Sequence, residues 1–371
     1  MIQKILLLCV LIVITRGIIF RTDPISRCVN LSGSQKKYCW DHAIRELTKH
    51  QGIDSALGTI QIWSNKDPDI QKNCHDLLHS IGQEAYFLYK KGGWIKLTQN
   101  YQLCAFGFYH GIMENFIQHK EPVALAGSWC DSQNKALVGS CYHGIGHGSV
   151  LLYRQDAGSQ PWNLINTGIA LCQKATDTPI KLQNCVNGLI DGLASAFVRG
   201  EFPLTESMRA DPLQICRNIN QIHQAACYTG LDWLMLHIAG NDFVKTAAFI
   251  ETIDQDTYAT SSVHELAGLY VFVRSDQVSV DAAIVSCQSF QERLRLPCIT
   301  GLASGLFWHV GLPDQEYQPM LLFCQNKMLH SDETEACFDQ MQKTIHMRYS
   351  QKQRKQICRL LPLEQRSMCE E

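Results

Sequence analysis

Three stretches of this sequence carry ligand-type side chains one helical turn apart: His75 with His79, His110 with Glu114, and His143 with His147. Residues i and i+4 share one face of a helix. Neutral imidazoles placed that way can bind one metal ion, and a third ligand from an adjacent helix completes the open site that catalytic zinc uses. His75, His79, His110, His143 and His147 are therefore the expected metal ligands. Glu114 is expected as a further ligand or as the catalytic general base, because a carboxylate beside metal-bound water can take its proton. Asp76 is a second carboxylate near enough in sequence to ligate or to orient a ligand. A lone H-x-x-x-H is a weak signal; alignment on a repeat is what strengthens this one.

The repeat shows when the chain is aligned on its cysteines. Segments read CAFGFYHG from Cys104, CYHGIGHG from Cys141, CVNGLIDG from Cys185, CYTGLDWL from Cys227 and CITGLASG from Cys298. Glycine follows the cysteine by three residues in all five and by seven in four, giving Gly107/Gly111, Gly144/Gly148, Gly188/Gly192 and Gly301/Gly305. Apolar runs continue after each, so these are expected helices that open at the cysteine. Glycine inside a helix costs about 1 kcal/mol relative to alanine, so the pairs imply close approach of a neighbouring backbone. Two and six residues after the cysteine stand Phe106/His110, His143/His147, Asn187/Asp191, Thr229/Trp233 and Thr300/Ser304. This stripe is expected to line an inner wall that is polar at its N-terminal end.

Cysteine usage fixes the hairpins. Of 17 cysteines, Cys9 lies in an apolar leader, which leaves an even 16. Cys28/Cys39, Cys130/Cys141, Cys216/Cys227, Cys287/Cys298 and Cys358/Cys369 share one gap; Cys172/Cys185 and Cys324/Cys337 share a slightly longer one. A repeated gap makes local pairing the economical choice, and each such loop would contribute on the order of 3 kcal/mol in the chain-entropy model. Cys74 and Cys104 fall outside the rule and are expected to pair with each other. A first helix ends near each first cysteine, so the unit is a disulfide-clamped αα-hairpin. A cysteine-free copy around His264 to Gly268 fills the one double-length gap. Such a period belongs to helical repeats. The expected fold is all-α: a right-handed αα-hairpin solenoid or α/α toroid of about nine repeats, forming one domain over residues 22–371. In general plan the units resemble disulfide-clamped helical repeats of the Sel1-like kind. The cysteine gap and glycine positions differ from theirs, so the resemblance implies architecture alone.

Lys4 followed by the apolar run Ile5 to Ile14 has the form of a signal peptide over residues 1–17, cleaved after Gly17 or retained as an N-terminal anchor. With the paired cysteines it places the protein outside the cytoplasm, secreted, periplasmic or membrane-anchored. With 33 basic against 35 acidic residues, no basic surface points to nucleic acid. Nucleotide-binding, haem-attachment and serine-hydrolase motifs are lacking.

The functional expectation is a histidine-lined concave site holding a divalent metal, zinc or iron, in a hydrolase or oxidoreductase. An alternative is a non-catalytic scaffold whose groove takes a peptide, a glycan or a small molecule. A second is lyase-like proton abstraction by Tyr109–His110 and Tyr142–His143, although a tyrosine adjacent to a histidine points about 100° away on a helix and suits the core better. His264–Glu265 with Gly268, and His75–Asp76, are similar to the His-Glu pairs of deoxyhypusine hydroxylase, a di-iron enzyme built on helical repeats. That family uses several pairs in register; this chain has one such pair and one approximation, so no residue role follows, and His264 is expected to be structural.

Overall fold

A computed structural model describes residues 23–92, 103–133, 135, 137–154, 161–274 and 276–366, and every regular element among them is helical. In chain order the longer helices are α1 (Gly33–Gln51), α2 (Ile53–Ser64), α3 (Cys74–Gly92), α4 (Gly107–Gln118), α5 (Val123–Asp131), α6 (Val138–Tyr153), α7 (Pro161–Ala175), α8 (Pro179–Val198), α9 (Gln221–Gly230), α10 (Asp232–Ile238), α11 (Phe243–Glu251), α12 (Asp256–Val273), α13 (Gln277–Ser289), α14 (Glu292–Gly305), α15 (Tyr317–Cys324), α16 (Ser331–Arg348) and α17 (Gln351–Cys358). The expected signal peptide over residues 1–17 lies outside the described residues. Among the latter, no helix is long and apolar enough to cross a membrane.

The second helices of successive hairpins pack on one another in order: α1 on α3, then α4, α6, α8, α9, α12, α14 and α16. The glycines are what let them approach. A methyl group on Gly111 would run into the carbonyl oxygen of His79, and one on Gly188 into that of His143. Each histidine-bearing turn is thus pressed against a glycine of the next helix. Large apolar side chains such as Phe108, Tyr109, Phe116, Tyr142 and Phe197 are fully or almost fully buried between helices.

Seven disulfides join described residues: Cys28–Cys39, Cys74–Cys104, Cys130–Cys141, Cys172–Cys185, Cys216–Cys227, Cys287–Cys298 and Cys324–Cys337. Cys358 is also disulfide-bonded, while its expected partner Cys369 lies outside the described residues. So many bridges suggest an extracytoplasmic protein.

Two local expectations need correction. Cys141, Cys185, Cys227 and Cys298 lie inside the first two turns of their helices and do not open them, because each helix starts earlier, at Val138, Pro179, Gln221 and Glu292. Cys104 does not open α4 either: it begins a separate three-residue 3-10 turn, Cys104–Phe106, ahead of it. Cys104, Ala105 and Phe106 have φ of 50°, 52° and 64°, a left-handed stretch that costs each L-residue roughly 1–2 kcal/mol. Phe106 therefore leaves the stripe, and its ring meets that of Trp308 at 5.5 Å. Further contacts join these distant parts of the chain. Gln61 Nε2 donates to Asp314 Oδ2 at 2.6 Å, and the Gln71 amide donates to the carbonyl of Val310.

Candidate metal centre

The five histidines come together. α3 supplies His75 and His79, α4 supplies His110, and α6 supplies His143 and His147. Ring centroids of His110 lie 5.1 and 5.2 Å from those of His75 and His79, and 4.8 and 5.2 Å from those of His143 and His147. One ligand atom each from His75, His79 and His110 fall within 4.8 Å of one another, and the same holds for His110, His143 and His147.

How each ring is held decides which nitrogen it offers. His75 Nδ1 donates to the carbonyl oxygen of Cys104 at 2.9 Å. His79 Nδ1 donates to Glu114 Oε1 at 3.1 Å. Their Nε2 atoms then face each other 3.0 Å apart, lone pair toward lone pair, which calls for a proton or a metal ion between them. That separation is close to the ~3.3 Å edge of a tetrahedron with metal–nitrogen bonds of ~2.0–2.1 Å. On α6, His143 Nε2 and His147 Nε2 are likewise 3.0 Å apart. His110 Nδ1 is buried with no hydrogen-bond partner.

Electrostatics favour neutral rings ready to ligate. Burial, then neighbouring His79, pushes His75 down to about 3. Burial and the surrounding histidines hold His110 well below the usual histidine range. His143 is lowered mainly by burial, against hydrogen bonding to Asp191. His79 is the exception: burial pulls it down, but the Glu114 carboxylate outweighs burial and raises it. Burial pulls Glu114 up, yet His79 and His147 prevail and bring it to about 2.

Glu114 is 6% exposed, and its Oε2 accepts from Gln83 Nε2 at 3.1 Å. Gln83 Oε1 in turn accepts from Arg45 at 2.5 Å. Gln83 went unnoticed at the level of sequence although it stands four residues after His79. The larger omission is Asp191 on α8. Its Oδ2 lies 3.1 Å from His147 Nε2 and 3.5 Å from His143 Nε2. The signal was there, since Asp191 occupies the same stripe position as His147 one repeat later. Asp76, by contrast, is exposed, and the carboxylate against His79 is Glu114.

The remaining candidates are placed elsewhere. Tyr109 is fully buried, and the Tyr142 hydroxyl bonds Asp131 and the carbonyl of Gly127, so the tyrosine–histidine acid/base set is not assembled. His264 Nδ1 pairs with Thr300 Oγ1 at 3.1 Å. Asn187 donates to Thr229 at 2.9 Å. His309, lowered to about 4 by burial, lines a narrow cavity with Trp308, Phe272 and His75.

A scan against protein-family models and searches of curated proteins and of solved structures returned no match to this chain. The histidine cluster is the feature of this chain that points to a function.

Proposed function

We propose that this chain is an exported metal-dependent enzyme, a hydrolase whose divalent metal, zinc or iron, sits on the histidine wall of a closed α/α toroid. The observation that carries this reading is the His75–His79 pair, two imidazoles whose Nδ1 atoms are held by the Cys104 carbonyl and Glu114 and whose Nε2 atoms converge to 3.0 Å. Three imidazoles leave the open coordination position that catalytic sites keep. A metal held there would supply Lewis-acid polarisation of a carbonyl or phosphoryl oxygen and activation of water. His79, His143 and His147 keep 17%, 19% and 14% of their side-chain surface exposed, which leaves a ligand in the lumen an edge of each ring to reach. Closure into a ring is supported by the contacts between residues 61–106 and 308–314. Export through the N-terminal apolar segment agrees with the disulfides.

In this reading Glu114 is a positioning residue. Its Oε1 already accepts from His79, and a carboxyl brought down to about 2 is a weak base at neutral pH.

Elemental analysis of purified, tag-free protein is the direct test. Zinc or iron at one or more equivalents per chain is expected, lost together with ester, peptide or phosphoester hydrolysis on chelation and restored by the metal. Substoichiometric metal unchanged by His75→Ala and His79→Ala would end this reading.

A further inference from the structure

The geometry points to a two-metal centre in which His75, His79 and His110 hold one ion, His143, His147 and Asp191 hold a second, and Glu114 orients one histidine of each set. This deepens the metal reading above and rests on it.

The first support is the number of donors. Five imidazoles and Asp191 converge on one short stretch of wall, and a single tetrahedral ion uses only ~4 ligands. His110 stands near both histidine pairs, but one nitrogen lone pair serves one ion. Asp191 removes the need to share. His143 Nε2, His147 Nε2 and Asp191 Oδ2 form a triangle with edges of 3.0, 3.1 and 3.5 Å. That is a complete two-histidine, one-carboxylate set, and it frees His110 for His75 and His79.

The second support is Glu114. Its Oε1 is 3.1 Å from Nδ1 of His79 and 3.9 Å from Nδ1 of His147. The outward nitrogen of one ring from each set thus faces the same buried carboxylate, and both rings turn Nε2 inward. A carboxylate on the far nitrogen fixes ring orientation and raises ligand basicity. One carboxylate serving two sets fits ions held side by side, the arrangement that clamps both oxygens of an in-line displacement.

The test counts ions. Metal-free full-length protein is titrated with Zn2+ and, in parallel, Co2+ under equilibrium dialysis, and metal per chain is measured at saturation. The parent is expected to take up about two ions and His143→Ala, Asp191→Asn and His75→Ala about one each. Circular dichroism of each variant reports folding, and two successive changes in the visible bands of bound Co2+ in the parent keep the count independent of any variant. Saturation at one ion, abolished by substitution in either set, overturns the two-metal centre and leaves the metal enzyme standing. Two ions with unchanged affinity in Asp191→Asn removes Asp191 from the second set. No uptake by the parent overturns this inference and the proposed function together.

Discussion

Glu114 accepts from His79 Nδ1 through one oxygen and from Gln83 through the other. Glutamine at that position keeps the shape and loses the charge that fixes the His79 tautomer. Glu114→Gln should therefore retain helicity while zinc affinity, measured by competition with a chromophoric chelator, drops roughly 10–100-fold. An unchanged affinity would remove Glu114 from the centre. Asp232 offers a separate experiment on stability. It is 5% exposed, with its Oδ1 3.5 Å from Ser262 Oγ, and burial, then Glu265, raises its carboxyl well above the usual value. Its folded pKa exceeds the unfolded one, so between the two the native state binds the extra proton and stability declines as pH rises. Asp232→Asn should raise the melting temperature more at pH 7 than at pH 4; an equal shift at both would contradict the buried neutral acid. At this scale the five clustered histidines were legible because a four-residue spacing survives in sequence. Asp191 was visible only as a member of the stripe. Its value depended on which helix lies beside α6, and spacing within one helix does not say that.

The helices owe their spacing to glycine, and the same residue type has opposite consequences along the chain. At Gly111 and Gly188 an added methyl group meets the backbone of a histidine-bearing turn; at Gly58, inside α2, it meets nothing within 4 Å. Gly58→Ala should stabilise the protein by about 0.5–1 kcal/mol through helix propensity and the unfolded chain. Gly111→Ala should destabilise it by about 1–3 kcal/mol through overpacking and weaken metal binding by pushing α3 and α4 apart. Thermal denaturation of both variants checks the pair of signs, and destabilisation of similar size at both sites would refute the packing argument. The hairpins and their clamps were readable from repeated cysteine gaps, which are local. The left-handed run Cys104 to Phe106 was not. Nothing in those residue types favours positive φ, and the run is held by the Cys74–Cys104 bridge and by packing of Phe106 on Trp308.

That packing matters for the molecule as a whole, because Phe106 and Trp308 meet although 201 residues lie between them in the chain. In an open solenoid the two ends need not meet, whereas in a toroid they form a seam. In the toroid proposed above, the seam would run past the histidine cluster: His75 bonds the carbonyl of Cys104, two residues from Phe106, and His75, Trp308 and His309 line one narrow cavity. Burying an aromatic pair adds about 0.5–1.5 kcal/mol beyond its area, so truncating these contacts should loosen the seam without unfolding the hairpins, most of which are clamped by a disulfide. Trp308→Ala combined with Asp314→Ala should leave helicity intact, increase the radius of gyration measured by small-angle scattering, and lower metal affinity. The loss should fall more on the ion held by His75, His79 and His110 than on one held by His143, His147 and Asp191, since only the first set is bonded to the seam. An unchanged scattering profile together with unchanged affinity would mean that the metal wall is kept in register by the glycine contacts alone, and that ring closure contributes nothing to the centre.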